Sequence, residues 1–364
     1  MTSRVVGAES AIGVARASVG HLQRTLLEHA PFVVVVLAYG AVGLPILGSL
    51  DRDVVIPLAA AYRIPVLVTV VYLLVSLLGL TLWLVFVQGR APLSARLFSD
   101  LKAYWLPPGR FVATLLVLVL LPAFLGLMLG FRTAITSFQP FGWDVAFMEL
   151  DRWMHFGRHP WELLQPLVGR PTITRFIDGF YIYGWFVLLW VGMAWQTVHG
   201  REPVRSQFLL TFLLTWIILG TIGAIAFSSA GPVYYGRVTE MADPYGPLMA
   251  YMAGLDGESP LRALAIQERL WSRYTEWGGI TAMPSMHVGQ ATVVFLAAAR
   301  TYRWLGWLLA PALLLILLGS VHLGWHYAVD SYAGILGALV VWWLSGGVVR
   351  WWRHTMDLEG EAER

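Results

Sequence analysis

Eight runs of mostly apolar residues, roughly 31–50, 64–87, 111–130, 177–198, 206–227, 285–302, 304–322 and 328–350, punctuate this chain. Each approaches the length of about 20 residues that a helix needs to cross a bilayer. Hydrocarbon cannot satisfy backbone N–H and C=O groups, so a lipid-exposed run must close its hydrogen bonds internally, as a helix does. The runs predict an all-α integral membrane protein with about eight transmembrane helices, and exclude the two soluble domains that 364 residues otherwise accommodate. Composition agrees, with 57% hydrophobic and only 13% charged residues. Cysteine is absent, which removes disulfides and thiolate metal sites. The net charge of +3 comes without a basic patch interleaved with base-stacking aromatics, so nucleic acid is not an expected partner.

Arginine placement orients the chain. With a cytoplasmic N-terminus, the inner segments hold Arg4, Arg16, Arg24, Arg90, Arg96, Lys102, Arg110, Arg201, Arg205, Arg300, Arg303, Arg350, Arg353 and Arg364, which is 14 of the 25 basic residues. Both termini are therefore expected inside, and the long loops 131–176 and 228–284 outside. No small-residue cleavage pattern follows the first run, so it reads as an uncleaved anchor. Lys102 is the only lysine, an arginine bias that suggests a GC-rich bacterial genome and nothing more; the expected location is a bacterial inner membrane. The expected organisation is an N-terminal segment with two accessory spans over 1–110, a six-span catalytic unit over 111–350, and a cytoplasmic tail over 351–364.

Both outer loops carry helical signals. In 142–155, Trp143, Phe147, Leu150 and Met154 recur at helical spacing opposite Asp144, Glu149, Asp151 and Arg152, the pattern of a helix lying on the membrane surface. In the second loop, Ser259-Pro260 reads as an N-cap and first-turn pair, with Leu261, Leu264 and Trp271 along one face.

Polar groups at membrane depth are costly and mark function. They gather at two places: Ala282-Met283-Pro284-Ser285-Met286-His287 at the head of the sixth run, and Ser320 to Asp330, with His322 and His326, at the head of the eighth. Runs six and eight point the same way, so their heads share a membrane face and the histidines can meet. His326 and Asp330, spaced i, i+4, fall on one face of a helix. A carboxylate there can accept the proton of one imidazole nitrogen and free the other to attack. The start behind Pro284-Ser285 offers unpaired N–H groups, chiefly around Ser285 and Met286, that suit a phosphate. His287 is placed to protonate a leaving oxygen.

Pro284-Ser285-Met286-His287 resembles the P-S-G-H signature of the type 2 phosphatidic-acid phosphatase superfamily, and His326-x-x-x-Asp330 resembles its closing H-x-x-x-D. Phe227-Ser228-Ser229-Ala230-Gly231-Pro232-Val233-Tyr234-Tyr235 is similar to the outer-loop motif of the branch containing inositol phosphorylceramide synthase. The resemblance covers about 111–350. It implies metal-independent phosphotransfer without a cofactor, in which His326 forms a phosphohistidine, Asp330 orients it and His287 acts as general acid. The implied partners are a phospholipid or lipid phosphate and the bilayer.

The chain departs from that pattern at its cations. It has no K-x6-R-P string, and Ser320 stands where the closing motif has arginine. Arg237, Arg273 and His322 are candidates to hold phosphate instead, and Asp178 and Tyr181 to contact a head group. The missing clamp points toward a phosphodiester donor and transfer to an alcohol acceptor; hydrolysis of a lipid phosphate is the alternative. Two rivals remain: a zinc hydrolase using His322, His326, Asp330 and His287, and a transporter with a histidine proton relay.

Overall fold

The computed structural model describes residues 2–50, 58–88, 95–96, 98–100, 108–255, 261–273 and 279–358. Ser259-Pro260, Arg90, Lys102 and Arg364 lie outside them. The described residues form helices and no strand. In chain order these are α1 (Thr2–Gly48), α2 (Leu58–Phe86), α3 (Pro108–Phe138), α4 (Asp144–Met154), α5 (Pro160–Val168), α6 (Pro171–Gly179), α7 (Trp185–His199), α8 (Val204–Ile217), α9 (Gly246–Gly254), α10 (Arg262–Ser272), α11 (Met286–Thr301), α12 (Arg303–His322) and α13 (Ala328–Thr355). A π-helical turn, Phe180–Gly184, joins α6 to α7 without a break.

Seven helical segments among the described residues are long and apolar enough to cross a membrane. They match seven of the eight runs. The run at 285–302 becomes α11, with 16 residues, or about 24 Å of helix, short of a full crossing. Of its motif, Pro284 and Ser285 stay outside the helix, with Ser285 as the N-cap, while Met286 and His287 open its first turn. Like α8 it is buried nearly all round, enclosed by α7, α8, α12 and α13.

Close approach of α11 and α13 depends on glycine. A Cβ on Gly334 would lie 2.6 Å from the Ser285 carbonyl oxygen and 3.3 Å from the Gly289 nitrogen. This contact brings the two chemical motifs together. The accessory helices pack beside the same core, α1 on α3 and α8, and α2 on α3 and α7. At the end remote from the motifs α1 is fastened by ions: Arg353 meets Glu28 at 3.2 Å, and Trp352 Nε1 donates to Leu27 O at 2.7 Å.

Helix α4 forms where the periodicity predicts, but its faces do not divide as expected. Trp143, Leu150 and Met154 are exposed along with Glu149 and Arg152, whereas Phe147 is buried together with Asp144 and Asp151, which are 2% and 1% exposed. Inside they find backbone donors; outside, the apolar side chains have no such need. Helix α10 starts one residue after Leu261.

Candidate active site

The site is built on two helix starts. Ser285 caps α11, its Oγ accepting the Val288 N–H at 3.5 Å, while its own N–H donates to Asp330 O at 2.9 Å. The hydroxyl is spent on the cap, so the amides of Met286 and His287 are the first-turn donors without an intrahelical partner. On the other side, α13 begins at Ala328, so His326 sits in the bend before the helix rather than on its face. Asp330 accepts the Tyr327 N–H at 3.0 Å and fixes how the chain enters the helix.

The histidine rings face each other with centroids 6.1 Å apart. His287 lies between two aromatics, stacked on Tyr181 at 4.8 Å and tilted against Trp185 at 4.3 Å, and its carbonyl accepts Trp185 Nε1 at 2.9 Å. His326 Nδ1 bonds the Ala282 carbonyl oxygen at 2.8 Å, while Asp330 Oδ2 stands 3.5 Å away. The expected donation to Asp330 thus goes mainly to Ala282, because the bend carries the ring toward the segment before α11. A carbonyl can only accept, so Nδ1 holds the proton and Nε2 keeps its lone pair free. Burial, with Arg132 adding to it, lowers His326 from 6.5 to about 4, leaving the ring neutral.

Both histidines line one cavity of about 440 Å³, walled mainly by apolar side chains from α2, α3, α7, α8 and α10. Met286 and Arg132 line it too. Arg132, at the end of α3, donates Nε to Gly279 O at 3.0 Å and pairs with no carboxylate among the described residues. The sequence reading passed over it because it lies in a long loop by hydropathy, far from both motifs.

The other expected residues are placed elsewhere. Arg237 pairs with Glu268 and lies 5.2 Å over the Trp271 ring. Arg273 is exposed at the end of α10. His322 is buried away from the cavity, its Nε2 2.9 Å from Thr174 Oγ1. Asp178 caps α10, accepting Arg262 N–H at 3.0 Å and Ala263 N–H at 2.8 Å. Tyr181 reaches the site, as a stacking partner of His287. Ser320 is fully buried, bonding Ser331 Oγ at 2.8 Å, in a corner with no space for arginine. Among the described residues no three His, Asp or Glu side chains converge as a metal requires, so the His322-centred zinc set does not form.

Two carboxylates expected on the polar face of a surface helix hold the frame instead. Asp144 accepts Ala230 N–H at 3.0 Å, Gly231 N–H at 2.8 Å and the Tyr327 hydroxyl at 2.8 Å. Gly231 has φ +98, and a Cβ there would lie 2.8 Å from Trp325 O, so this loop requires glycine. Asp151 accepts Ala328 and Val329 N–H at 2.8 and 2.9 Å. Burial raises Asp144, and lifts Asp151 to about 7 against the pull of its two backbone donors.

No curated protein and no solved structure matches the chain. A family model described as the PAP2 superfamily matches residues 145–344, more than half of the sequence and the part that carries both histidine motifs. The chain therefore belongs to the PAP2 superfamily, membership of which suggests a phosphatase or phosphotransferase acting on lipid phosphates.

Proposed function

We propose that this protein is a membrane lipid phosphotransferase working through a phosphohistidine on His326, with transfer to an alcohol acceptor. The observation that carries the reading is the facing pair of histidines in one apolar cavity, with His326 Nδ1 held at 2.8 Å by Ala282 O and its ring neutral. In the first step the Nε2 lone pair attacks phosphorus as the P–O bond to the leaving group breaks. The leaving oxygen takes a proton from His287. In the second step an acceptor hydroxyl attacks phosphorus, gives its proton to His287, and the P–N bond returns its pair to His326. Oxygens of the phosphate are received by the Met286 and His287 amides. Asp330 serves as a positioning residue, fixing the bend that carries His326.

Transfer rather than hydrolysis is supported by the lining: Ile266 and Leu270 of α10 add to the mostly apolar wall of the chamber, and water competes for a phosphoenzyme wherever it enters. The site is assigned to the outer face from the arginine distribution, with the catalytic unit taken as 111–350. The test uses pure protein and a phospholipid labelled in phosphorus, with and without ceramide, glycerol or inositol as acceptor. Label appearing in an acid-labile adduct at His326 and then in the acceptor supports the reading. Label released only as free phosphate would make the enzyme a lipid phosphatase.

A further inference from the structure

Arg132 presents a charge that no carboxylate among the described residues balances. Its Nε is used by the Gly279 carbonyl, no carboxylate pairs with it among the described residues, and it lines the apolar cavity with His287 and His326. It is the only Lys or Arg among the described cavity residues. A guanidinium in apolar surroundings is costly without a counter-anion, and a cation kept at membrane depth marks an anion's place. Its two terminal nitrogens have the spacing to meet two phosphate oxygens at once.

We propose that Arg132 binds the phosphate of the substrate and that, as the single guanidinium among the described cavity residues, it selects a singly charged phosphodiester over a doubly charged monoester. The inference rests on the phosphohistidine reading and names its substrate class. A diester brings one negative charge and two non-bridging oxygens, which one guanidinium meets in full. A monoester brings a second charge that only a protonated His287 is left to balance, and that proton is needed by the leaving group. The residues that complete this half of the site, including Ile64 and Pro65 of α2 and Arg132 of α3, precede residue 145, where the family match begins. Recognition of the donor is thereby assigned to helices that the family segment does not contain.

The experiment compares phosphatidylglycerol, a diester, with phosphatidic acid, a monoester, as substrates of the full chain in nanodiscs. The wild type is expected to prefer the diester by tenfold or more in kcat/KM. Arg132→Gln should lower diester turnover by about 10²–10³-fold, the usual loss on removing one anion-binding donor, and Arg132→Lys should recover part of it. Tm of Arg132→Gln should hold or rise, because a partly buried charge with no carboxylate partner among the described residues is removed. In a His326→Ala background, calorimetric binding of a singly charged alkyl methylphosphonate should weaken when Arg132→Gln is added. Diester rates within threefold of wild type in Arg132→Gln, unchanged phosphonate binding, a fall in Tm, or preference for the monoester would each overturn the proposal. Wild-type rates in His326→Ala would instead overturn the phosphohistidine reading, so the two failures are told apart.

Discussion

The Asp151 carboxylate on α4 accepts the Ala328 amide at 2.8 Å, tying the loop helix to the first turn of the helix that carries Asp330. With the second bond from Val329, the outer loop fixes where α13 starts and hence where His326 points. A carboxylate at a helix N-terminus also complements the dipole.

Replacing Asp151 is expected to act on the site without touching substrate. Asp151→Asn substitutes an amide that can face one backbone donor with its own N–H, leaving a buried group unsatisfied at a cost of about 1–3 kcal/mol. Thermal unfolding in nanodiscs should show that loss, with kcat reduced and KM little changed. A variant with wild-type kcat would remove Asp151 from the positioning frame.

His287→Ala should be sensitive to the leaving group. A general acid contributes about 10²–10⁴-fold when the leaving oxygen is basic and little when it departs unaided. Paired rates on a p-nitrophenyl phosphodiester and an alkyl phosphodiester measure this. Equal losses on both would contradict the role.

Acid should inactivate the enzyme late. Burial lowers His326 in the folded protein, so the neutral nucleophile persists down to about 4 rather than being lost at 6.5. The acid limb of kcat/KM is expected near 4. The sign for stability follows from the same shift: between 6.5 and about 4 the unfolded chain binds the extra proton, so this histidine's contribution to stability is present above 6.5 and lost as pH falls through that window. An acid limb at 6.5 would mean the ring is not held neutral.

Gly334→Ala tests the crossing of α11 and α13. The new Cβ meets the Ser285 carbonyl at 2.6 Å, inside contact distance and against backbone. Overpacking of this kind costs about 1–3 kcal/mol, and here it also separates His287 from His326. Both Tm and turnover should fall, and a variant with unchanged Tm would show that the helices have room to part.

The membrane class, the position of seven spans and the pairing of two histidine motifs were legible in sequence, because each follows from local facts: run length, a Pro-Ser helix start, and helix direction. The run at 285–302 misled on length, since hydropathy alone does not reveal that the helix within it has only 16 residues, Met286–Thr301. What only tertiary structure decided concerns partners distant in the chain. Asp144 and Asp151 read as the wet face of a surface helix, yet their acceptor oxygens are taken by amides 86 to 178 residues away. Asp178 looked like a head-group contact and instead caps α10, while Arg132, unremarkable in a loop, is brought beside His287 and His326. A residue's hydropathy and spacing state what it needs, a donor, a counter-charge or an apolar neighbour; which group supplies it depends on the packing of helices far apart in sequence.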